Sequence, residues 1–221
     1  MKKFEIGIYS LADMDPNPIT GEAITPKERI KEIIEAAKLA DEAGLDIFGV
    51  GELHRLDYGV SSPAVILAAI AQCTKNIRLT STTSVLSALD PVRLFEDFAL
   101  LDLISGGRAE ILAGRGAFIE SFLLFGFDTR DYDQLFEENI ELFNLLNKNE
   151  KVTWEGKFRP SLNDAEIAPR PVQRELPLWI GVGGTYESAL RAGRLGVGMA
   201  LAISNVSEIY VCPVTPIFNL S

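Results

Sequence analysis

A chain of 221 residues is long enough for one domain with a large core, and 47% hydrophobic residues with a mean hydropathy of +0.14 argue against disorder. The formal charge of −10, with no basic stripe, excludes nucleic acid as an expected partner, because phosphate neutralisation needs clustered Lys and Arg. No apolar run reaches the roughly 18 residues of a membrane helix, and one His with two distant cysteines, Cys73 and Cys212, offers no zinc set. A cytoplasmic chain with reduced cysteines and no membrane partner is the expectation.

Residues 4–9 (FEIGIY) predict a first strand, followed by a loop with Pro16, Pro18 and Gly21. Thr25, Pro26 and Glu28 then form a capping box with proline at the first helical position. Ile30, Ile33, Ile34 and Ala37 share one face of that helix, Gly44 ends it, and residues 47–50 predict a second strand. Ser62-Pro63 opens a helix that runs to Cys73, and residues 77–82 predict a third strand. Asp90-Pro91 opens the next helix, with Leu94, Phe95, Phe98 and Leu101 as its buried stripe. Gly106-Gly107 closes it before a fourth strand at 109–113. This alternation indicates parallel βαβ units.

Between residues 116 and 176 the rhythm breaks. Residues 132–147 predict a helix capped by Asp131, and 152–171 a hairpin or irregular insertion. A strand at 178–182, a helix at 185–193 and a strand at 199–203 then resume the pattern. The predicted fold is therefore α/β, a TIM-type (β/α) barrel that is incomplete, with about six of eight strands. Residues 1–203 form the barrel domain, and 204–221 are a divergent apolar tail whose only charge is Glu208. An open sheet edge needs cover, so Glu208 to Leu220 is expected to lie over one, within the chain or across a homodimer.

Functional residues of such barrels gather where strands run into the following helices. Four such ends are informative: Glu52 and His54 after strand two, Thr82 and Thr83 after strand three, Arg115 after strand four, and Gly183-Gly184-Thr185 after strand five. Glycines before a helix N-terminus can bring backbone N–H groups to an anion, although the same pattern is often only a turn. A guanidinium between Gly114 and Gly116 must find an anion, either an internal carboxylate such as Glu52 or a phosphorylated cofactor. His54, the only histidine, is either a loop brace or a proton-transfer group. Phe118, Phe122, Phe125 and Phe127 read as core or pocket wall. No metal constellation is present in this reading.

Three segments, GVGELHRLDYGVSSPAVILAAIA, SVLSALDPVRLFEDFALLDLISGGRAEILAGRG and PRPVQRELPLWIGVGGTYESALRAG, together resemble the luciferase-like monooxygenases. This flavin-dependent family includes bacterial luciferase, and the similarity runs from about residue 4 to residue 203. The resemblance implies FMN at the C-terminal ends of the barrel strands. Arg115, Gly183, Gly184 and Thr185 would then hold its phosphate and ribityl chain. Thr82 and Thr83 would lay backbone under the isoalloxazine ring, in some members through a non-prolyl cis peptide. Glu52 and His54 match the acidic and histidine positions after strand two, as cofactor contact and catalytic pair. Leu53 stands where members often carry the first histidine of Glu-His-His, and family chains are usually much longer. The implied activity is monooxygenation of a small organic substrate with reduced FMN and oxygen, the flavin arriving from a separate reductase. The alternatives are a non-catalytic or truncated FMN-binding barrel, or a deazaflavin-dependent hydride-transferring oxidoreductase.

Overall fold

The computed structural model describes residues 4–183 and 186–202. The chain runs β1 (Gly7–Ser10), α1 (Pro26–Glu42), β2 (Ile47–Val50), α2 (Pro63–Cys73), β3 (Arg78–Ser81), β4 (Ser84–Val85), α3 (Pro91–Ser105) and β5 (Ala109–Gly114). It continues through α4 (Glu120–Phe125), α5 (Tyr132–Lys148), β6 (Lys151–Trp154), β7 (Leu162–Glu166), β8 (Leu178–Val182), α6 (Tyr186–Leu195) and β9 (Gly198–Leu201).

Six parallel strands pair in the order β1-β2-β3-β5-β8-β9, each beside its predecessor, with the short β4 added on β5. Every crossover joins adjacent strands, so the sheet winds in one direction and curls into a half-barrel with β1 and β9 at its edges. Helices cover one face. Phe48, Val50, Leu79, Ile111, Ala113, Leu178 and Ile180 point into a core shared with Ile33 of α1, Leu67 and Ile70 of α2, Phe95 and Phe98 of α3, and Phe143 of α5. The opposite, concave face carries a polar floor: the buried Glu110 pairs with Arg78 at 2.7 Å and accepts from Trp179 Nε1 at 3.1 Å. Burial pushes the Glu110 carboxyl up, and the Arg78 charge partly offsets that rise.

The helices starting at Pro26, Pro63 and Pro91 begin where the sequence places them, and one predicted cap, at Asp131, does not form. Thr25 and Glu28 form the predicted capping box, and Asp90 accepts from Val92 N and Arg93 N. Ser62 makes no side-chain cap bond. Asp131 does not cap α5 either, since its carboxylate accepts from Lys157 Nζ on the incoming hairpin at 3.1 Å. The insertion is an antiparallel β6–β7 hairpin. The first strand starts later than expected, at Gly7, while Ile6 N is held by Asp46 Oδ2 at 2.9 Å. Cys73 is a free thiol, and Cys212 and the tail lie outside the described residues.

One carboxylate fixes the turn into β3. Asp41, at the end of α1, accepts from the backbone N–H of Lys75 (2.7 Å), Asn76 (2.9 Å) and Ile77 (2.8 Å). Burial pushes this carboxyl up, but the three N–H groups outweigh it and the net shift is downward. A depressed folded-state value gives stability that is present above the unfolded-state pKa of about 4 and lost as pH falls below it. Asp41→Ala should therefore cost about 2 kcal/mol at neutral pH. In urea denaturation, the difference from the parent should shrink in acid.

Candidate functional site

Two cavities have linings that include residues just past the end of β5, one at the C-terminal mouth of the strands and one between α5 and α6. The smaller, about 140 Å³, is lined by Glu52, His54, Thr82, Thr83, Gly116 and Phe118 among others. The larger, about 510 Å³, is walled by Arg115, Asp133 and Arg191 with further residues of α5 and α6. The dipeptide Arg115-Gly116 thus has one residue in each.

The glycine frame around Arg115 has a packing origin. A Cβ on Gly114 would lie 2.5 Å from Thr83 Oγ1, so only glycine lets the Thr83 side chain seat against β5. Gly116 has φ +83°, and a Cβ there would meet Val85 Cγ1 at 2.8 Å. The two glycines bring β4 and the Thr82-Thr83 segment against the end of β5 and launch Arg115 past it. The Thr82–Thr83 peptide is cis.

Glu52 is buried and makes two bonds: Oε1 meets His54 Nε2 at 2.9 Å, and Oε2 accepts from Val85 N at 3.0 Å. It therefore ties the β2 exit loop to β4 and fixes the imidazole. The His54 ring also meets Phe125 of α4 edge-on, with centroids 5.1 Å apart. The Glu52 contact commits Nε2 of the ring. Arg55 extends the wall: it pairs with Asp57, reaches Glu120 Oε1 at 3.3 Å and lies 4.6 Å over the Phe118 ring.

Arg115 does not pair with Glu52. Its Nη1 donates to Asp133 Oδ1 at 2.7 Å and its Nη2 to Ser188 Oγ at 3.4 Å, with the guanidinium 5.3 Å from the Tyr132 ring centroid. The charge-satisfying carboxylate comes from α5, eighteen residues away, which strand-end reasoning does not reach. Ser188 lies in the first turns of α6, so Arg115 does stand beside the β8–α6 connection. Gly183 is exposed there, and Gly184 and Thr185 lie outside the described residues.

Four of the eight buried side-chain polar atoms without a partner among the described residues belong to residues lining these two cavities. They are Thr82 Oγ1, Glu120 Oε2, Ser121 Oγ and Arg191 Nη1. Native structures leave few such groups, and half of those among the described residues lie beside these cavities. Glu120 and Ser121 were missed in the sequence. Their signal was a lone polar pair inside an otherwise apolar run, residues 117–127 (AFIESFLLFGF). The predicted aromatic residues divide: Phe122 is buried, Phe118 lines the smaller cavity, and Phe125 is half exposed against the His54 ring.

A singly wound parallel half-barrel with a cavity at the C-terminal strand ends defines a protein of the β/α-barrel class. The chain belongs to the luciferase-like monooxygenase family, whose model matches residues 4–210. Among curated proteins it is 30% identical over 200 residues to the uncharacterised protein y4wF of Sinorhizobium fredii, covering 90% of this chain and 56% of that one. It is 27% identical to the oxygenase component of the flavin-dependent trigonelline monooxygenase of Acinetobacter baylyi, over 76% of this chain and 48% of that protein. Monooxygenase RslO1 from Streptomyces bottropensis superposes with a TM-score of 0.79 at 28% identity, covering 89% of this chain and 59% of that one. The chain thus spans about half the length of the relatives it matches. Relatives by sequence include a flavin-dependent monooxygenase component and an F420-dependent glucose-6-phosphate dehydrogenase.

Proposed function

We propose that the chain binds FMN across the two cavities and serves as the oxygenase part of a flavin-dependent monooxygenase acting on a small organic substrate. The observation that carries this reading is that the consecutive residues Arg115 and Gly116 each border one of the cavities. The Gly116 side offers a mixed apolar and polar wall for a ring, and the Arg115 side a guanidinium for a phosphate. The orphaned Thr82 and Ser121 hydroxyls supply hydrogen-bonding atoms that a heteroaromatic ring could satisfy.

Bound in its reduced form, a flavin would supply the two electrons for placing one oxygen atom on the substrate and releasing the other as water. The chain's own residues then have defined tasks. Arg115 positions the phosphate by charge-assisted bonds. Thr82 and Thr83 lay backbone along the ring, and Phe118 and Phe125 keep water from the reacting face. Glu52 holds His54 so that its Nδ1 can hold or pass a proton beside the ring. A separate reductase delivers the flavin, as the trigonelline relative's designation as an oxygenase component suggests.

The test is a visible absorption titration with FMN, followed by NADH–reductase-coupled oxygen consumption with and without candidate aldehydes. Substrate-dependent oxygen uptake supports the reading. Binding of F420 with no FMN binding would favour the hydride-transferring alternative. Binding of FMN without turnover would leave a flavin-holding protein. His54→Gln should lower turnover roughly tenfold, the equivalent of one hydrogen bond, while FMN affinity stays within about twofold. Unchanged turnover would make His54 a brace for the loop.

A further inference from the structure

We propose that Asp133 is a built-in competitor for Arg115, a specificity-determining carboxylate that keeps the phosphate seat closed and flavin binding reversible. The proposal rests on the reading that a flavin phosphate sits at Arg115, and goes beyond it by assigning a role to a residue outside the strand-end set.

The geometry supplies the argument. Asp133 Oδ1 lies 2.7 Å from Arg115 Nη1 and so occupies a donor that a phosphate oxygen could otherwise take. The Asp133 side chain is 71% exposed in the first turn of α5, so it can swing into water without opening the core. Arg115 does not depend on it for position. Its guanidinium is flanked by the Tyr132 ring and by Ser188, and Tyr132 is itself anchored through its hydroxyl to Gly116 O at 3.0 Å. Displacing Asp133 therefore frees the seat and leaves the arginine in place.

Charge sharpens the effect. The larger cavity is lined by Asp133, Glu137, Glu141 and Glu187 against Arg115, Arg191 and Arg194, an excess of one carboxylate. Arg191 is already engaged by Glu137 through both Nε and Nη2. An entering phosphate dianion thus meets repulsion until Asp133 leaves. An exposed ion pair shifts an equilibrium by only about two- to fivefold, so a well-placed phosphate wins while weaker anions do not. Modest affinity suits a flavin that arrives reduced and must depart oxidised in each cycle. Affinity differences of this kind reside mostly in the dissociation rate.

The experiment measures FMN and riboflavin dissociation constants by flavin fluorescence for the 221-residue chain and its Asp133→Asn, Asp133→Glu and Arg115→Ala variants. Stopped-flow dissociation rates are recorded alongside. Asp133→Asn should tighten FMN about two- to fivefold, mainly through slower release, and leave riboflavin unchanged within error. Asp133→Glu, which keeps the charge, should behave like the parent. An Arg115-dependent preference for FMN that Asp133→Asn leaves unchanged would overturn this inference alone. Equal weakening of FMN and riboflavin in Arg115→Ala would overturn the phosphate reading and this inference with it.

Discussion

Arg115→Ala is expected to weaken FMN binding about 10- to 150-fold and to leave riboflavin almost untouched. A charge-assisted bond to phosphate contributes about 1.5–3 kcal/mol, which converts to that range. Competition from Asp133 draws the result toward the lower end, because breaking the existing pair takes back part of the gain. Riboflavin carries the same ring without the phosphate, so it reports any damage to the ring side of the site. Arg115→Lys should fall between the two, since an ammonium keeps the charge but loses the planar fork that also faces Ser188 and Tyr132. Fluorescence titration of both flavins against the three proteins decides the matter. A parallel loss for both ligands would mean that Arg115 braces α5 against the β5 exit and holds no phosphate.

Much of the architecture was legible because it is written locally. The Thr25–Glu28 box, the Asp90-Pro91 start and the Gly106 stop each sit within a few residues of the element they bound. The strand cores show as short β-branched or apolar runs bounded by turns. What escaped was either too short or too distant. The two-residue β4 has no periodicity to read, and α4 is a six-residue helix inside an apolar stretch that resembles buried strand as much as helix. The hairpin was left ambiguous because β7 (LNDAE) carries almost no strand-like side chains, and its pairing with β6 supplies what its sequence does not.

The site divides along the same line. Glu52 and His54 lie two residues apart, and their 2.9 Å contact lies within the reach of one loop. Arg115 could be recognised as needing an anion, but nothing near it in sequence names Asp133, which only the packing of α5 against the barrel mouth brings to it. The Thr82–Thr83 segment is a candidate by its place at the end of strand three, and the family resemblance adds only its role. Its physical reason emerges from Gly114, whose missing Cβ gives Thr83 its place. Gly184 and Thr185 lie outside the described residues, so only the Arg115 and Ser188 side of that corner has a structural account.

The stretch GGRAEILAGRG contains a second arginine, and its replacement should be the most destabilising single change considered. Arg108 sits at the opposite end of β5 from Arg115 and binds no ligand-like group. Its guanidinium donates to Ser105 O (2.9 Å), Thr74 Oγ1 (3.0 Å), Ile77 O (2.8 Å), Ala71 O (3.0 Å) and Thr74 O (3.2 Å). Those acceptors belong to the end of α3, the end of α2 and the turn into β3, so one side chain joins three segments at the bottom of the barrel. Burial pulls its pKa down and the Asp41 charge partly restores it, yet a guanidinium remains protonated at any pH where the chain folds. Arg108→Met keeps most of the apolar stem and strands several carbonyls without donors. The cost should be about 3–5 kcal/mol, a large share of the 5–15 kcal/mol that typically holds a domain together. For a chain of this size that corresponds to a fall in Tm of roughly 6–20 °C. Arg108→Lys should recover only part of the loss, because one ammonium with three donors cannot span five acceptors spread over three segments. Calorimetry of the two variants beside Arg115→Ala separates the roles. Arg115→Ala should change Tm little and FMN binding much, and the Arg108 variants should do the reverse. An Arg108→Met protein that melts within a few degrees of its parent would show that the carbonyls find other donors and that the clamp is redundant.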